Sequence, residues 1–341
     1  MLFRSLPYLL KHENICRLEG GNILIGDRRV FPFEKRFEVC SSVAQVAQAL
    51  RSMVTQGGGP LEVALQTMVF VTRQMQSGDL PSGFSTLADA ADQLIAARPT
   101  NTTMQRTLQG LLAQVRMFAS DPDELAQAVG RQVQAILDGF DRLYHQMGRM
   151  GSTLLDQDSV VLTTCFAEHT FLLSLAYAQE SGKKIRVLAN ETRPYLQGSR
   201  LTAPSLEEMG IEVQVVTDGM GATFLVEGKV DAYMTAVDLL CMDGTVVNKV
   251  GTLSNAISAR YSGVPYYAFS ISPDQTKQGR DDVNMEMRSP KEITRCMGLP
   301  TTLDSIGGLY PAFDIIPPAL VTALVTPKGI LKPEQVKRSF Q

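Results

Sequence analysis

Two side chains able to move protons close apolar runs in the second half of the chain. Cys165 ends VVLTTC (160–165) and Asp238 follows AYMTAV (232–237). A thiol at a strand-to-helix turn meets the amides of the following helix, which would favour a thiolate. A carboxyl beyond another strand offers a general acid or base. A lone cysteine in such a place reads more simply as a small buried residue, so Cys165 gains meaning only with company. His169, four residues on, would share a helical face with it and form a thiolate–imidazolium pair, although an ordinary amphipathic position is the simpler reading. Glu168 in the same turn would act the other way and raise the thiol pKa.

Company is present in three loops. NETRPYLQG (190–198) can present Arg193, Gln197 and backbone amides to an anion, or be a solvated loop with Glu191 and Arg193 paired. Asp218-Gly219-Met220-Gly221 suits close approach of a ligand or only a tight turn, and without a third glycine it is weak as a dinucleotide signal. Asn248-Lys249-Val250-Gly251-Thr252 leads into a helix. A cation at a helix start opposes the dipole, so Lys249 points away or serves an anion bound there.

The elements that must position these residues follow from periodicity. ICRLE, NILIG and RRVFPF, between Ile15 and Cys40, predict a short β-meander. SSVAQVAQALRSMV opens on a Ser41-Ser42 N-cap, Gly57-Gly58-Gly59-Pro60 ends it, and four further helical stretches follow. Near Met147–Ser159 the chain turns Gly- and Asp-rich, which divides it into a helical domain over 1–150 and a second domain over 151–341. In the latter, VVLTTC, KIRVLA, EVQVVT, AYMTAV and PYYAFS alternate with helix-like segments. That alternation predicts an α/β fold with a doubly wound parallel sheet, whose ligands bind beyond the carboxyl ends of the strands.

Composition narrows the partner. With 341 residues, a formal charge of -3 and a pI near 5.7, the chain has no basic field to hold nucleic acid or an anionic membrane. Its five cysteines are odd in number and lack any CxxC spacing, against both a disulfide framework and a zinc site. The opening MLFRSLPYLLKHENI is broken by Arg4, Pro7 and Lys11, and no later apolar run reaches the ~20 residues that span a bilayer. A cytoplasmic protein with a small-molecule ligand is expected.

Taken together, ARPTNTT (97–103), VVLTTC, NETRPYLQGSRLTA (190–203), AVDLLCMDGTVVNKVGT (236–252) and YPAFDIIPPALVTALVTPKGIL (310–331) resemble the methylthioribose-1-phosphate isomerase family. That family is related to the regulatory α, β and δ subunits of the initiation factor 2B exchange factor. The resemblance implies a Rossmann-like C-terminal domain behind a smaller, mainly helical N-terminal domain, a homodimer, and a phosphorylated pentose as substrate. It implies no metal and no cofactor. Cys165 and Asp238 match its catalytic pair, which the initiation-factor subunits lack, and Arg98, Gln197, Asn248 and Lys249 match residues around the sugar phosphate.

Three places depart from the family pattern. The usual Arg-Gly-Ala-Pro reads Gln56-Gly57-Gly58-Gly59-Pro60, where the amides of Gly57, Gly58 and Gly59 could still hold phosphate. The usual Asn-Thr-Gly after the cysteine reads Phe166-Ala167-Glu168, and Ala236 stands for a glycine before the aspartate. The expected activity is conversion of 5-methylthioribose 1-phosphate, or a close analogue such as 5-deoxyribose 1-phosphate, to the ketose 1-phosphate. Asp238 would protonate the ring oxygen while Cys165 assists transfer of hydrogen from C2 to C1, in a dehydrated pocket. Ribose 1,5-bisphosphate, disfavoured by Glu168, and a non-catalytic sugar-phosphate or nucleotide sensor are the alternatives.

Overall fold

The computed structural model describes residues 6–79, 81, 83–99 and 101–341. Met1–Ser5 of the opening segment and Thr100 of ARPTNTT lie outside the described residues. Backbone contacts divide the chain into Tyr8–Arg142 and a second unit of Leu143–Gln341 with Leu6 and Pro7.

In the first unit, a one-turn helix α1 (His12–Ile15) leads into β1 (Cys16–Glu19), β2 (Asn22–Gly26) and β3 (Phe37–Cys40), an antiparallel meander in that order. The third strand is FEVC, not the expected RRVFPF. Pro32 has no amide to give a ladder, and residues 30–33 form a turn that leaves Phe33 exposed. Helices α2 (Val43–Arg51), α3 (Gly59–Ser77), α4 (Phe84–Ala97), α5 (Thr102–Val115) and the 31-residue α6 (Pro122–Ser152) follow. Ser42 caps α2 by accepting from the Gln45 amide, and Asn101 caps α5 by accepting from Met104. Leu50, Leu65, Met68, Leu87, Leu94 and Leu108 are fully buried, so one apolar core holds these helices together.

His12 fastens this unit. Its ring nitrogens meet Glu62 Oε1 at 2.9 Å and Asp141 Oδ2 at 3.0 Å, tying α1 to α3 and α6. Hydrogen bonds to Asp141 and then Glu62 raise the imidazole to about 10. The partners do not gain equally, since burial still holds Glu62 above the ordinary carboxyl range in spite of His12. The net stabilisation is therefore modest, on the order of 1 kcal/mol with His12 half exposed. A histidine whose pKa is raised on folding stabilises fully below ~6.5 and loses that contribution as pH rises towards 10. Thermal melts should fall across this window for the wild type, and the fall should be shallower in His12→Asn.

The second unit is built on a seven-stranded sheet. Its strands are β4 (Val160–Thr163), β5 (Arg186–Asn190), β6 (Glu212–Val216), β7 (Ala232–Ala236), β10 (Tyr266–Phe269), β14 (Ala323–Thr326) and β15 (Gly329–Leu331). Their spatial order is β15-β14-β10-β7-β4-β5-β6, all parallel except the edge strand β15. The chain starts in the middle at β4, builds outwards through β5 and β6, then returns to the other side of β4 at β7. The order reverses between β4 and β7, the switch point where such sheets open a crevice for ligands.

The connecting helices are α7 (Glu168–Glu180), α8 (Ala203–Glu208), α9 (Met220–Val226) and α10 (Thr252–Ser262). Phe171, Leu172, Leu173 and Leu175 of α7 are all buried, which explains its weak amphipathic pattern. Tyr233 of β7 and Tyr266 of β10 are register partners, with ring centroids 4.7 Å apart and both side chains in the core. Such a stacked pair adds about 1 kcal/mol beyond the area it buries. A second sheet, β8 (Leu239–Leu240), β9 (Val246–Lys249) and β13 (Phe313–Ile316), is antiparallel in the order β13-β9-β8. A two-stranded hairpin, β11 (Arg295–Cys296) and β12 (Leu299–Pro300), lies in the segment before β13.

Candidate active site

Cys165 follows β4 and Asp238 follows β7, so the two residues flank the switch point on neighbouring strands. The turn carrying Cys165 is held from the next strand's loop. The Cys165 amide donates to Thr192 Oγ1 at 2.9 Å, and its carbonyl accepts from Thr202 Oγ1 at 2.6 Å. Its φ of +70° lies in the left-handed region, as do those of Glu168, Thr192 and Leu196. Such conformations cost non-glycine residues about 1 kcal/mol or more each and persist where surroundings impose them, often at working sites. Glu168 stands where the family pattern has glycine, and its φ of +46° explains that preference.

The thiol is not the thiolate that its turn suggested. Burial pushes Cys165 up to about 12; Lys249 pulls the other way, while Asp238 and Glu168 add to the rise. Desolvation thus outweighs the helix amides. The expected action of Glu168 has the right sign. His169 instead stacks on the Tyr144 ring, centroids 4.7 Å apart, which is a packing role. Because the thiol form persists to high pH, alkylation of Cys165 by iodoacetamide at pH 8 should be about 10²-fold slower than that of a free cysteine. This figure sets the lost thiolate fraction against the greater nucleophilicity of a more basic thiolate. Peptide mapping after timed quenching would measure it, and the rate should climb up to pH ~12.

Lys249 is a strand residue, which corrects the expectation that it opens a helix. It ends β9, and α10 begins only at Thr252 after Gly251, whose φ of +101° suits glycine. The start of α10 is already filled by the protein's own carboxylate. Asp314 Oδ2 accepts from the amides of Gly251 at 2.8 Å and Leu253 at 2.9 Å. An anion would therefore meet the Lys249 side chain and not the helix terminus. That side chain is 4% exposed, and its Nζ stands 4.7 Å from the centroid of the Phe313 ring. Among the described residues no carboxylate forms an ion pair with it. The burial of a cation resting on an aromatic face is best compensated by an arriving anion.

The loop after β5 corrects a second expectation. Arg193 is not turned to a ligand or paired with Glu191. Its guanidinium donates to the carbonyls of Ile293 at 3.0 Å and Arg295 at 2.9 Å. The amides of Thr192 and Arg193 both reach Asp218, each at 2.8 Å. Asp218 thus builds the loop. Gly221 packs so closely that an added Cβ would stand 2.5 Å from Asn255 Oδ1, so this glycine serves helix packing, whereas a Cβ at Gly219 would meet nothing within 4 Å. Gln197 is buried two residues past Tyr195, and Asn248 is buried with its amide on Thr252 Oγ1 at 3.1 Å.

Beneath the site runs a polar network absent from the sequence reading. Thr164 Oγ1 meets Tyr233 Oη at 2.8 Å, and Asn255 Nδ2 donates to Asn190 Oδ1 at 2.9 Å and Thr164 Oγ1 at 3.2 Å. It locks the ends of β4, β5 and β7 to α10. Asp314 and this network were detectable only as polar residues inside apolar stretches, and their partners are remote in sequence.

The remaining residues belong to the first unit. Gly57 has a φ of +62°, and Gly59 opens α3 so tightly that an added Cβ would stand 2.1 Å from Thr55 Oγ1. Arg98 caps the end of α4, with Nη1 2.8 Å from Met53 Sδ. Buried Arg28 donates to the carbonyl of Gln56, fixing the start of the glycine run.

The chain belongs to the initiation factor 2 subunit family, whose model matches residues 61–333. Within that family it is 32% identical to the methylthioribose-1-phosphate isomerase of Thermotoga neapolitana, over 94% of this chain and 96% of that one. It is 33% identical to the enzyme of the same name from Syntrophotalea carbinolica, over 93% and 95%. Its fold matches 5-methylthioribose 1-phosphate isomerase from Pyrococcus horikoshii OT3 with a TM-score of 0.81 at 24% identity, covering 99% of this chain and 98% of that one. It also matches the delta subunit of translation initiation factor eIF-2B from A. fulgidus, with a TM-score of 0.79 at 27% identity and 97% of each chain.

Proposed function

We propose that this chain is an aldose–ketose isomerase that converts 5-methylthioribose 1-phosphate to the corresponding ketose 1-phosphate. The observation that carries the reading is the pairing of Cys165 with Asp238 across the switch point, beside the buried cation of Lys249. The similarity to isomerases of that name over nearly the whole chain supports the same conclusion. A sensor of the initiation-factor kind would need no acid and no thiol there.

A sugar phosphorylated at C1 cannot open to a free aldehyde. Asp238 donates a proton to the ring oxygen, the bond from that oxygen to C1 breaks, and positive charge develops at C1. Hydrogen then moves from C2 to C1. Burial raises the Cys165 thiol and leaves little thiolate to take a proton from carbon, which weighs for a hydride shift. The C2 hydroxyl becomes the ketone and returns its proton to Asp238, leaving the enzyme unchanged. Asp238 is exposed, so the dehydration that favours a proton donor is supplied by the bound sugar. Gln197, Asn248 and Lys249, all of the second unit, hold the phosphate. The enzyme works as a homodimer in the cytoplasm without metal or cofactor.

A panel of 5-methylthioribose, 5-deoxyribose and ribose 1-phosphates, followed by NMR with binding measured in parallel, tests this reading. Ketose should form from the methylthio sugar first. Binding across the panel without product would favour the sensor.

A further inference from the structure

A buried polar cluster within electrostatic reach of Cys165 has groups left over. The segment at Glu286–Arg288 runs antiparallel to Tyr310–Ala312: the Arg288 amide donates to the Tyr310 carbonyl and the Ala312 amide to the Glu286 carbonyl, each at 2.9 Å. Three residues on, Phe313 pairs with Lys249, so this ribbon is anchored to the strand that carries the cation. The guanidinium of Arg288 lies 5.7 Å from the ring centroid of Tyr195, in the loop that also bears Gln197, and its Nε meets Glu286 Oε1 at 2.6 Å. Glu292 bears on the same Tyr195 hydroxyl.

Tyr310 is 1% exposed, yet its hydroxyl has no hydrogen-bond partner among the described residues. Arg288 Nη1 and Glu292 Oε2 are likewise buried without partners. Buried polar atoms are nearly always satisfied, and three orphans in one cluster call for a common explanation. The Tyr310 hydroxyl lies within electrostatic reach of both Arg288 and the Cys165 thiol. The set contains a donor, an acceptor and a hydroxyl that is both. A phosphate would suit the arginine but be repelled by Glu292, whereas a sugar hydroxyl gives and accepts and so fits all three.

We propose that Tyr310, backed by Arg288, is a substrate-contacting residue whose hydroxyl hydrogen-bonds the C3 hydroxyl of the ribose beside the reacting carbons. This deepens the isomerase reading and rests on it. It makes the cluster a reader of the sugar's hydroxyls and excludes a second phosphate there.

The test is an enzyme–substrate cycle. Wild type and Tyr310→Phe are each assayed with 5-methylthioribose 1-phosphate and with its 3-deoxy analogue, with thermal melting as the check on folding. Tyr310→Phe should lose about ten- to a hundred-fold in kcat/KM on the parent sugar. Wild type should lose a similar factor on the 3-deoxy sugar, and combining the two changes should cost little more than either alone. A merely structural tyrosine would give losses that multiply, which would overturn the proposal, as would a folded Tyr310→Phe within two-fold of wild type. Should that variant melt early, Arg288→Lys must show the same non-multiplying pattern, and independent losses there overturn it too. No turnover of the parent sugar by wild type would defeat the isomerase reading and this inference with it, whereas turnover with an indifferent Tyr310→Phe defeats only the inference.

Discussion

Cys165→Ser and Asp238→Asn should each lower kcat for 5-methylthioribose 1-phosphate by at least about 10³-fold. Asparagine cannot donate the proton that opens the ring, and loss of a positioned general acid costs about 10²–10⁴-fold. Serine keeps the shape of the Cys165 side chain but replaces its larger, weakly solvated sulfur with a hydroxyl that binds water in the path of the moving hydrogen. Both should melt close to wild type. The Cys165 backbone is held by Thr192 and Thr202, and Asp238 is exposed. Steady-state assays beside thermal melts would check this, and a variant retaining a tenth of wild-type activity would remove its residue from the mechanism.

Lys249→Met should have the next largest effect, in two opposite directions. Binding of the phosphorylated sugar should weaken by about 10²-fold, since a charge-assisted contact in a buried site is lost. The free protein should become more stable by about 1 kcal/mol, because a buried cation without an ion pair among the described residues is replaced by an apolar chain over Phe313. The Cys165 thiol should rise further, since Lys249 pulls it down. Calorimetric binding and thermal melting read the first two. Weakened binding with lowered stability would mean that Lys249 props up the fold and does not serve an anion.

The sheet was legible because parallel strands buried on both faces make apolar runs, and all five predicted runs fell on strands, including EVQVVT, whose strand β6 is the largely exposed edge. What escaped were elements whose partners are distant. Asn248–Thr252 read as a lead into a helix because the strand character of Val246–Lys249 depends on pairing with Phe313–Ile316. RRVFPF read as a strand on composition, and Pro32 settled the matter locally. Of the site, the positions of Cys165 and Asp238 followed from strand ends, but their chemical state did not. Burial, which no local pattern reports, turned the anticipated thiolate into a thiol. Arg193 and the helix start at Thr252 looked like anion sites because their acceptor carbonyls and Asp314 lie some sixty to a hundred residues away.

The most direct measurement is incubation of the protein with 5-methylthioribose 1-phosphate deuterated at C2, followed by proton and carbon NMR. A ketose 1-phosphate carrying deuterium at C1 is the expected product, formed by wild type and not by Asp238→Asn. Substrate that binds and is recovered unchanged, with no ketose at any enzyme concentration, would contradict the account.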